Sequence, residues 1–167
     1  MTSPAPPSDL YFAYGRNMGT RAMELACPGH RCLGAAELRD HRLAFTRRSL
    51  RTGSGVADIL AAPGASVWGA LYELDAAQLA AIDEKEGAGW AYERRAVRVL
   101  AAGGELEAFA YAVIAPDAEH VQPSREYLRA LLDGARERGL PEAYVAALGA
   151  VAAAGESAHR PLSREAD

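Results

Sequence analysis

Apolar positions in this chain fall into short runs, most of which have the length expected of β-strands. Leu10–Tyr14 is apolar and aromatic and stops at Gly15, which predicts a buried strand that ends in a tight turn. Alternating apolar positions predict a second strand over Leu33–Phe45. Val56–Ala61 and Val67–Leu74 predict two more strands, and the latter is the clearest of all by residue type.

The remaining strand signals lie beyond the centre of the chain and form a pair. Tyr92–Leu100 and Glu105–Ile114 are separated by the short segment Ala101–Gly104, which predicts a β-hairpin. Between the earlier strands, Arg47–Gly55 is polar and rich in glycine and is therefore interpreted as a solvated loop.

Helical signals are concentrated near the chain's end, with two further short helices earlier. Asp75 and Gln78 have the spacing of a capping box, which predicts a helix that begins at Asp75 and ends near Gly87. The predicted helices are Thr20–Leu25, the helix from Asp75, Ser124–Arg138, and a helix from Pro141 to about Val151.

The order of these elements favours an α+β fold, because strands dominate the middle and helices follow them. We expect a small mixed β-barrel, closed or nearly closed, with flanking helices, since closure hides the edges of a sheet. Residues 1–9 are expected to be a disordered lead-in, 10–154 a single domain, and 155–167 a loose tail.

Composition is that of a globular protein and excludes some function classes. Half of the 167 residues are hydrophobic, and the net charge of −4 is spread without a basic face, which argues against nucleic-acid binding. The densest basic cluster, Arg47, Arg48 and Arg51, is interpreted as part of the solvated loop. No apolar run has the length of a membrane span and no signal-peptide pattern is present, so a cytoplasmic location is expected.

Cys27 and Cys32 flank His30 in one short segment, which raises the question of a metal site. The spacing matches no standard zinc pattern and a fourth ligand is missing nearby, so two reduced structural cysteines are the preferred interpretation. No metal is expected.

The segment from Tyr11 to Met18 is the first candidate for chemistry. A strand that ends in Gly15 and Asn17 presents backbone N–H groups that can bind an anion, and the following helix adds its dipole. The alternative is a turn that needs Gly15 only for its backbone angles.

The second candidate is Asp83–Gly87, at the predicted end of the capped helix. Asp83 and Glu86 are three residues apart and share a side with Leu79 and Ile82, so one of the two carboxylates points toward the interior. Burial raises the pKa of a carboxyl group, which suits a general acid/base. The alternative is a solvated helix surface.

Together these segments resemble the gamma-glutamylcyclotransferase family, which includes AIG2-like proteins. Tyr11-Phe12-Ala13-Tyr14-Gly15-Arg16-Asn17-Met18 is similar to that family's opening signature, and Val67-Trp68-Gly69 with Asp83–Gly87 is similar to its second signature. Gly139-Leu140-Pro141 followed by Tyr144 resembles its C-terminal helix pair.

The resemblance implies a cofactor-independent enzyme that converts a gamma-glutamyl amino acid, peptide or amine to 5-oxoproline and the free amine. It implies attack of the glutamyl α-amine on its own γ-carbonyl, with Glu86 as general acid/base. The substrate-binding residues that it implies are Tyr14, Gly15, Arg16, Asn17, Met18, Tyr92 and Tyr127. The expected partner is therefore a small molecule, with no nucleic acid and no membrane, and a homodimer is left open.

Arg16 departs from the family signature, which has serine at this position. Its main chain can still supply an N–H group, while its larger cationic side chain could add a carboxylate contact or fill part of the pocket. The departure keeps open a non-catalytic protein that binds gamma-glutamyl or other small molecules on the same fold. A structural interaction domain is the third reading, and it predicts no carboxylate with a raised pKa in a pocket.

Overall fold

The computed structural model describes residues 9–158 of the chain, with side chains through Gly155. Ten elements follow one another along the described chain, counting a single 3-10 turn. The strands are β1 (Leu10–Ala13), β2 (Arg31–Arg48), β3 (Gly55–Glu73), β4 (Tyr92–Ala101) and β5 (Gly104–Val113). The helices are α1 (Thr20–Ala26), α2 (Ala76–Glu86), α3 (Arg125–Glu137) and α4 (Glu142–Ala158), and the 3-10 turn is Arg16–Met18.

The five strands form a closed barrel in the order β1-β3-β2-β4-β5, which confirms the expected α+β barrel with flanking helices. All ladders are antiparallel except the closing one, in which β1 runs parallel to β5 and pairs Tyr11 with Phe109. Closure hides part of the edges that an open sheet would expose. Phe12, Ile59 and Leu71 are among the side chains that fill the core.

The longest elements, β2 and β3, correct two sequence-based expectations. Gly55–Glu73 is one strand, whereas two strands with a break after Ala61 were predicted. The β2–β3 ladder continues through this position with a bulge, where the paired residues change from Arg39↔Ser66 to His41↔Ala61. At the bulge, the carboxylate of Asp40 accepts a hydrogen bond from the Gly64 amide at 3.0 Å. A local sequence pattern cannot predict this bulge, because the hydrogen bond that supports it joins Gly64 to Asp40 on the other strand.

The same two strands shorten the loop that was predicted over Arg47–Gly55. Arg47 and Arg48 belong to β2 and Gly55 belongs to β3, so residues 49–54 form the connection. A hydrogen bond where this loop joins β3 holds it against the rest of the domain: the Gly55 amide donates to the carbonyl of Gln122 at 3.0 Å.

Helix α2 begins and ends as its sequence predicts. The Asp75 carboxylate accepts from the Gln78 amide at 2.8 Å and the Gln78 side chain accepts from the Asp75 amide at 3.0 Å, which confirms the capping box. Gly87 ends the helix in the left-handed region, with φ 63°. A Cβ at Gly87 would lie 2.6 Å from the Trp90 indole, so both the backbone angle and the available space require glycine at this position. Glu86 is therefore the last helical residue.

Helices α3 and α4 pack against each other at the chain's end, and Leu128, Leu131 and Leu148 are buried between them and the barrel. Helix α4 continues to Ala158, so 155–158 are helical where a loose tail was expected. The rest of that tail, and residues 1–8 of the expected lead-in, lie outside the described residues. Within the described part, no helix combines the length and the apolar character needed to cross a membrane.

Candidate functional site

A cavity of about 490 Å³ opens at one end of the barrel. Its walls come from the turn after β1, the end of α2, the tip of the β2–β3 hairpin and the start of α3. Seven residues that the sequence singled out line it: Tyr14, Gly15, Arg16, Asn17, Glu86, Tyr92 and Tyr127. The eighth, Met18, does not line it, because its side chain is 1% exposed and belongs to the core.

Glu86 is half-buried and faces this cavity from the last turn of α2. Its Oε1 atom accepts one hydrogen bond, from Nδ2 of Asn17 at 2.8 Å. Burial raises the pKa of Glu86 above its ordinary value, while the Lys85 ammonium group and the Asn17 hydrogen bond offset part of that rise. The carboxyl group therefore has the environment of a general acid/base.

Asp83 lies one helical turn earlier and has a different environment. It forms an ion pair with Arg94, whose Nε donates to Oδ1 at 2.7 Å, and it accepts from the hydroxyl of Tyr111 at 2.5 Å. The Arg94 hydrogen bond holds the pKa of Asp83 below its ordinary value. Of the two carboxylates that the sequence left as alternatives, Glu86 is therefore the one that faces the cavity.

Asn17 is 3% exposed and connects the turn after β1 to α2. Its amide oxygen accepts from the Lys85 ammonium group at 2.5 Å, and its amide nitrogen also contacts the Tyr11 hydroxyl at 3.1 Å. The amide can have only one orientation here, because Lys85 has only donors and an ionised Glu86 has only acceptors. Asn17 therefore presents a fixed N–H group to the Glu86 carboxylate.

Lys85 is exposed along its stem but holds its ammonium group against Asn17. Loss of hydration there lowers the pKa of Lys85, and the nearby Glu86 carboxylate opposes that effect. Lys85 was not predicted as a site residue, since a lysine beside carboxylates in sequence is usually an ordinary surface residue.

The turn from Gly15 to Met18 is held from behind by side chains that sequence reasoning missed. The Tyr72 hydroxyl contacts the carbonyl oxygens of Asn17 and Met18, both at 2.9 Å. Nε of Arg138 donates to the same Met18 carbonyl at 3.0 Å, and Nη2 of Arg138 donates to the Tyr72 hydroxyl at 3.0 Å. With the carbonyls fixed on this side, the amide groups at the start of the turn have no acceptor within it.

Gly15 immediately precedes the 3-10 turn, with φ −103° and ψ −144°, outside the usual helical and extended regions. A Cβ at Gly15 would lie 3.3 Å from the Tyr127 hydroxyl and 3.8 Å from the Cβ of Ala57. Glycine therefore lets the main chain of the turn approach Tyr127, and it also tolerates this backbone conformation.

Tyr92 and Tyr127 are both held by the main chain of Ala57 on β3. The Ala57 amide donates to the Tyr127 hydroxyl at 3.1 Å, and the Tyr92 hydroxyl donates to the Ala57 carbonyl at 3.1 Å. Burial raises the pKa of Tyr127 to about 12, so its hydroxyl stays protonated near neutral pH. Because Tyr127 uses its oxygen as an acceptor, its proton is available to a molecule in the cavity.

The other predicted tyrosine, Tyr14, has a structural bond. Its hydroxyl donates to the main-chain carbonyl of Tyr111, and its side chain is 5% exposed. Burial raises the pKa of Tyr14 well above its ordinary value. Tyr14 therefore contributes a wall of the cavity, with its proton already engaged.

Arg16 does not fill the cavity, although it replaces the serine of the family signature. Nη2 of Arg16 lies 3.6 Å from the carboxylate of Glu126 at the start of α3, and 47% of the arginine side chain is exposed. The basic residues Arg47 and Arg51, interpreted from the sequence as part of a solvated loop, also line the cavity together with Leu50 and Trp90. Only the folding of the β2–β3 hairpin places them there.

The cysteine segment lies apart from this site. Cys27 is buried and contacts the carbonyl of Gln78 at 3.4 Å, and both Cys27 and Cys32 are free thiols. His30 lies 3.3 Å from Glu24 and packs edge-on against Tyr72. Within 9–158, the structure holds no group of three or more His, Cys, Asp or Glu side chains suited to a metal ion.

Comparison with known proteins shows similarity in both sequence and structure. The family model described as the AIG2-like family matches residues 66–148. Gamma-glutamylcyclotransferase of Homo sapiens is 32% identical over 156 residues, which cover 90% of this chain and 82% of the human protein. The corresponding Mus musculus protein is 31% identical and the match covers 85% of this chain and 78% of the mouse protein.

A solved structure shows the same relationship in three dimensions. A gamma-glutamyl cyclotransferase superimposes with a TM-score of 0.78 at 29% identity, covering 95% of this chain and 91% of the other. The match thus includes both the barrel and the helices that carry the cavity, so the chain belongs to the gamma-glutamylcyclotransferase family.

Proposed function

We propose that this protein is a cyclotransferase that converts a gamma-glutamyl compound to 5-oxoproline and a free amine, with Glu86 as its general acid/base. The single observation that carries the proposal is a carboxyl group with a raised pKa that shares one cavity with the Gly15 turn and the Tyr127 hydroxyl. Related proteins named gamma-glutamylcyclotransferase support the reaction class.

The reaction needs little from the protein beyond orientation and proton transfer. The glutamyl α-amine is tethered to the γ-carbonyl that it attacks, so closure of the five-membered lactam is intramolecular. One carbon–nitrogen bond forms and one breaks within the same substrate. The change is redox-neutral and requires no co-reactant, so we propose that it proceeds without a cofactor.

Glu86 carries the protons in this scheme. The α-ammonium group must lose two protons to become the lactam N–H, and the leaving nitrogen gains one as its bond to carbon breaks and one as it becomes an ammonium group. An α-ammonium with a pKa of about 8 and an ordinary Glu with about 4.3 differ by roughly 5 kcal/mol. Burial of Glu86 narrows that difference.

The opposite walls of the cavity position the substrate. We assign the amide groups of the Gly15 turn to the substrate's α-carboxylate, because this turn and Glu86 line the same cavity. We assign the free proton of Tyr127 to the oxygen of the γ-carbonyl, where negative charge develops during attack. Tyr14 and Tyr92 then shape the pocket, since their protons are engaged by main-chain carbonyls.

One observation favours a second function, a non-catalytic protein that binds gamma-glutamyl compounds. Arg16 stands where the family signature has serine, and a changed residue in the substrate turn could accompany lost chemistry. Against this, Arg16 pairs with Glu126 at the mouth and leaves Glu86 and Asn17 in contact. Cyclisation is therefore the better-supported function.

The test is incubation of the purified protein with a panel of gamma-glutamyl amino acids, dipeptides and amines, followed by detection of 5-oxoproline by mass spectrometry. We expect product from at least one member of the panel. Saturable binding of these compounds without any 5-oxoproline would establish the binding protein instead, and neither binding nor product would reject both.

A further inference from the structure

Lys85 is the only lysine in this chain, whose other basic side chains of the Lys and Arg type are all arginines. It lies in the last turn of α2, directly before Glu86, and lines the same cavity. An ammonium group is a compact charge that suits a single oxygen, whereas a guanidinium group is a planar fork that matches two. The single oxygen that Lys85 contacts is Oδ1 of Asn17, at 2.5 Å.

Lys85 is connected to Glu86 through Asn17 rather than by direct contact. In the described chain, the ammonium group and the Glu86 carboxylate do not form an ion pair with each other. Instead, Oδ1 of Asn17 accepts from Lys85 while Nδ2 of the same amide donates to Oε1 of Glu86 at 2.8 Å. Asn17 is 3% exposed, so bulk water has little access to either end of this amide.

The reversed orientation of the Asn17 amide would have the opposite effect on Glu86. Rotation of the amide by half a turn would place Oδ1 beside the Glu86 carboxyl group and the Tyr11 hydroxyl, and both of these can donate a proton to it. That orientation would favour a protonated Glu86. It would also direct the Asn17 N–H groups at the Lys85 ammonium group, which has no acceptor.

We propose that Lys85 is a positioning residue, whose ammonium group fixes the Asn17 side-chain amide in the orientation that donates to an ionised Glu86. This inference rests on the proposed function, in which Glu86 begins the reaction as a base. Without the ammonium group, both orientations of the amide are open, and the hydrogen bond to the ionised carboxylate is weakened. Lys85 then acts on the reaction through Asn17 and not by touching the substrate.

The groups around Glu86 determine what a titration reports. Burial raises the pKa of Glu86, and the Lys85 charge and the Asn17 hydrogen bond each offset part of that rise. The other titratable groups that face Glu86 come from four elements and are Tyr11 of β1, Tyr92 of β4, Tyr111 of β5 and Tyr127 of α3. Burial raises the pKa of all four tyrosines, so they stay neutral where Glu86 titrates.

The groups that face Lys85 are few and do not change charge in the same range. Besides Glu86 they are Arg16 of the turn, Arg51 of the β2–β3 connection and Cys27 after α1. Burial raises the pKa of the Cys27 thiol. Loss of hydration lowers the pKa of Lys85, which is protonated on the acidic side of that value, where Glu86 titrates. Glu86 is therefore the group of this set whose charge changes between acidic and neutral pH.

NMR of protein isotopically labelled at the glutamate carboxyl carbons measures the titration of Glu86 without any turnover. The resonance that is missing from Glu86→Gln identifies this residue. We expect Lys85→Met to raise the titration midpoint by about one pH unit, because the hydrogen bond that favours the ionised carboxylate is weakened. Arg51→Met is the matched control, since it removes another cation from the cavity lining, and the midpoint should stay in place.

A double-mutant cycle separates positioning of Asn17 from the direct field of the Lys85 charge. If Lys85 acts through Asn17, Lys85→Met should shift the midpoint in the Asn17→Ala protein by about half as much or less than in the protein that keeps Asn17. Equal shifts in the two backgrounds would mean that the charge acts through space alone, and no shift in either would mean that Lys85 does not act on Glu86. Both results would overturn the inference. Circular dichroism confirms folding of each variant.

The kinetics of Lys85→Met test the same role in the reaction. The acidic limb of kcat/KM for 5-oxoproline formation should move to higher pH by the same amount as the NMR midpoint, with the rate recovered above the limb. A loss of rate that is equal at every pH, with the limb in place, would indicate a direct substrate contact or a merely structural role and would overturn the inference. Absence of 5-oxoproline from the wild type would reject the proposed function, while an NMR cycle with the expected shifts would still establish the positioning of Asn17 by Lys85.

Discussion

Asp58 and Glu86 are both carboxylates that the fold withdraws from bulk water, yet very different numbers of donors reach them. Asp58 is 1% exposed and accepts from the Thr46 hydroxyl at 2.8 Å and from the amides of Ile59 and Val113 at 2.8 and 3.0 Å. Its three donors come from β2, β3 and β5. Glu86 is half-buried and, in the described chain, accepts from Asn17 alone.

The difference separates a structural carboxylate from one whose lone pairs are still open to the cavity. A buried carboxylate that accepts from donors on three strands joins those strands, and its burial closes it to a ligand. A carboxylate with one donor and an open cavity beside it retains lone pairs for a proton or a substrate. The same chemical group is therefore a cross-link between strands in one region and a candidate proton carrier in the other.

The strongest test of this comparison removes the proton-carrying capacity of Glu86. Glu86→Gln should lower kcat by at least about a hundredfold, because the amide keeps the shape and the Asn17 contact but cannot take up a proton. The measurement is the rate of 5-oxoproline formation, with circular dichroism to show that the fold is intact. Glu84→Gln, an exposed neighbour outside the cavity lining, is the control. Near-normal turnover by Glu86→Gln would show that another group is the base.

The second test breaks the structural carboxylate. Asp58→Leu should lower the free energy of unfolding by about 3 kcal/mol, because two buried amides lose their acceptor. Denaturant unfolding measures the loss. Asp58→Asn keeps an oxygen for both amides and should cost much less. Similar unfolding curves for Asp58→Leu and the wild type would mean that these hydrogen bonds do not stabilise the barrel.

A third test changes the number of donors at Glu86. In the wild type, the Asn17 hydrogen bond lowers the pKa of Glu86. Asn17→Ala removes this bond, so the pKa of Glu86 should rise further above its ordinary value. Because the base must be ionised, the acidic limb of the kcat/KM profile should move to higher pH, with a loss of about tenfold at neutral pH. Tyr11→Phe removes the other neighbour of that amide and should shift the limb less. An acidic limb that stays in place would remove Asn17 from the control of Glu86.

The smallest expected effect concerns stability. The pKa of Glu86 is raised above its ordinary value of 4.5, so the folded state disfavours its ionised form. Wild-type stability is therefore fully present below pH 4.5 and declines as the pH rises through the folded pKa. Glu86→Gln lacks this decline and should be more stable than the wild type by about 1 kcal/mol at neutral pH.

Thermal unfolding across pH decides this last prediction. The advantage of Glu86→Gln should disappear below pH 4.5, where the wild-type carboxyl is protonated in both states. A gain of the same size at every pH would assign it to packing rather than to the carboxyl charge.

Local sequence signals predicted the parts of this molecule whose determinants are close in sequence. The capping box of Asp75 and Gln78, the glycine stop at Gly87 and the β4–β5 hairpin depend on residues within a few positions of one another. They were predicted with their limits nearly correct. The cavity-lining residues Glu86, Asn17 and Gly15 were singled out from the sequence because they belong to two short signatures.

Features that depend on distant partners were missed. Tyr72 and Arg138 are 66 residues apart and support the same turn, so no local pattern connects them. The bulge at Asp40 needs Gly64 on the opposite strand. Arg51 looks like any exposed loop arginine until the β2–β3 hairpin brings it over the cavity, and Asp58 gives no sign in the sequence that three strands donate to it.

The main chain of Ala57 holds both Tyr92 and Tyr127 by hydrogen bonds, and the methyl side chain of Ala57 takes no part in them. That methyl group lines the cavity next to the Gly15 turn and is 3% exposed. A larger side chain at residue 57, such as valine, can therefore narrow the cavity while the main-chain hydrogen bonds to both tyrosines are kept. Substitution of Ala57 is therefore a way to change which compounds fit in the cavity.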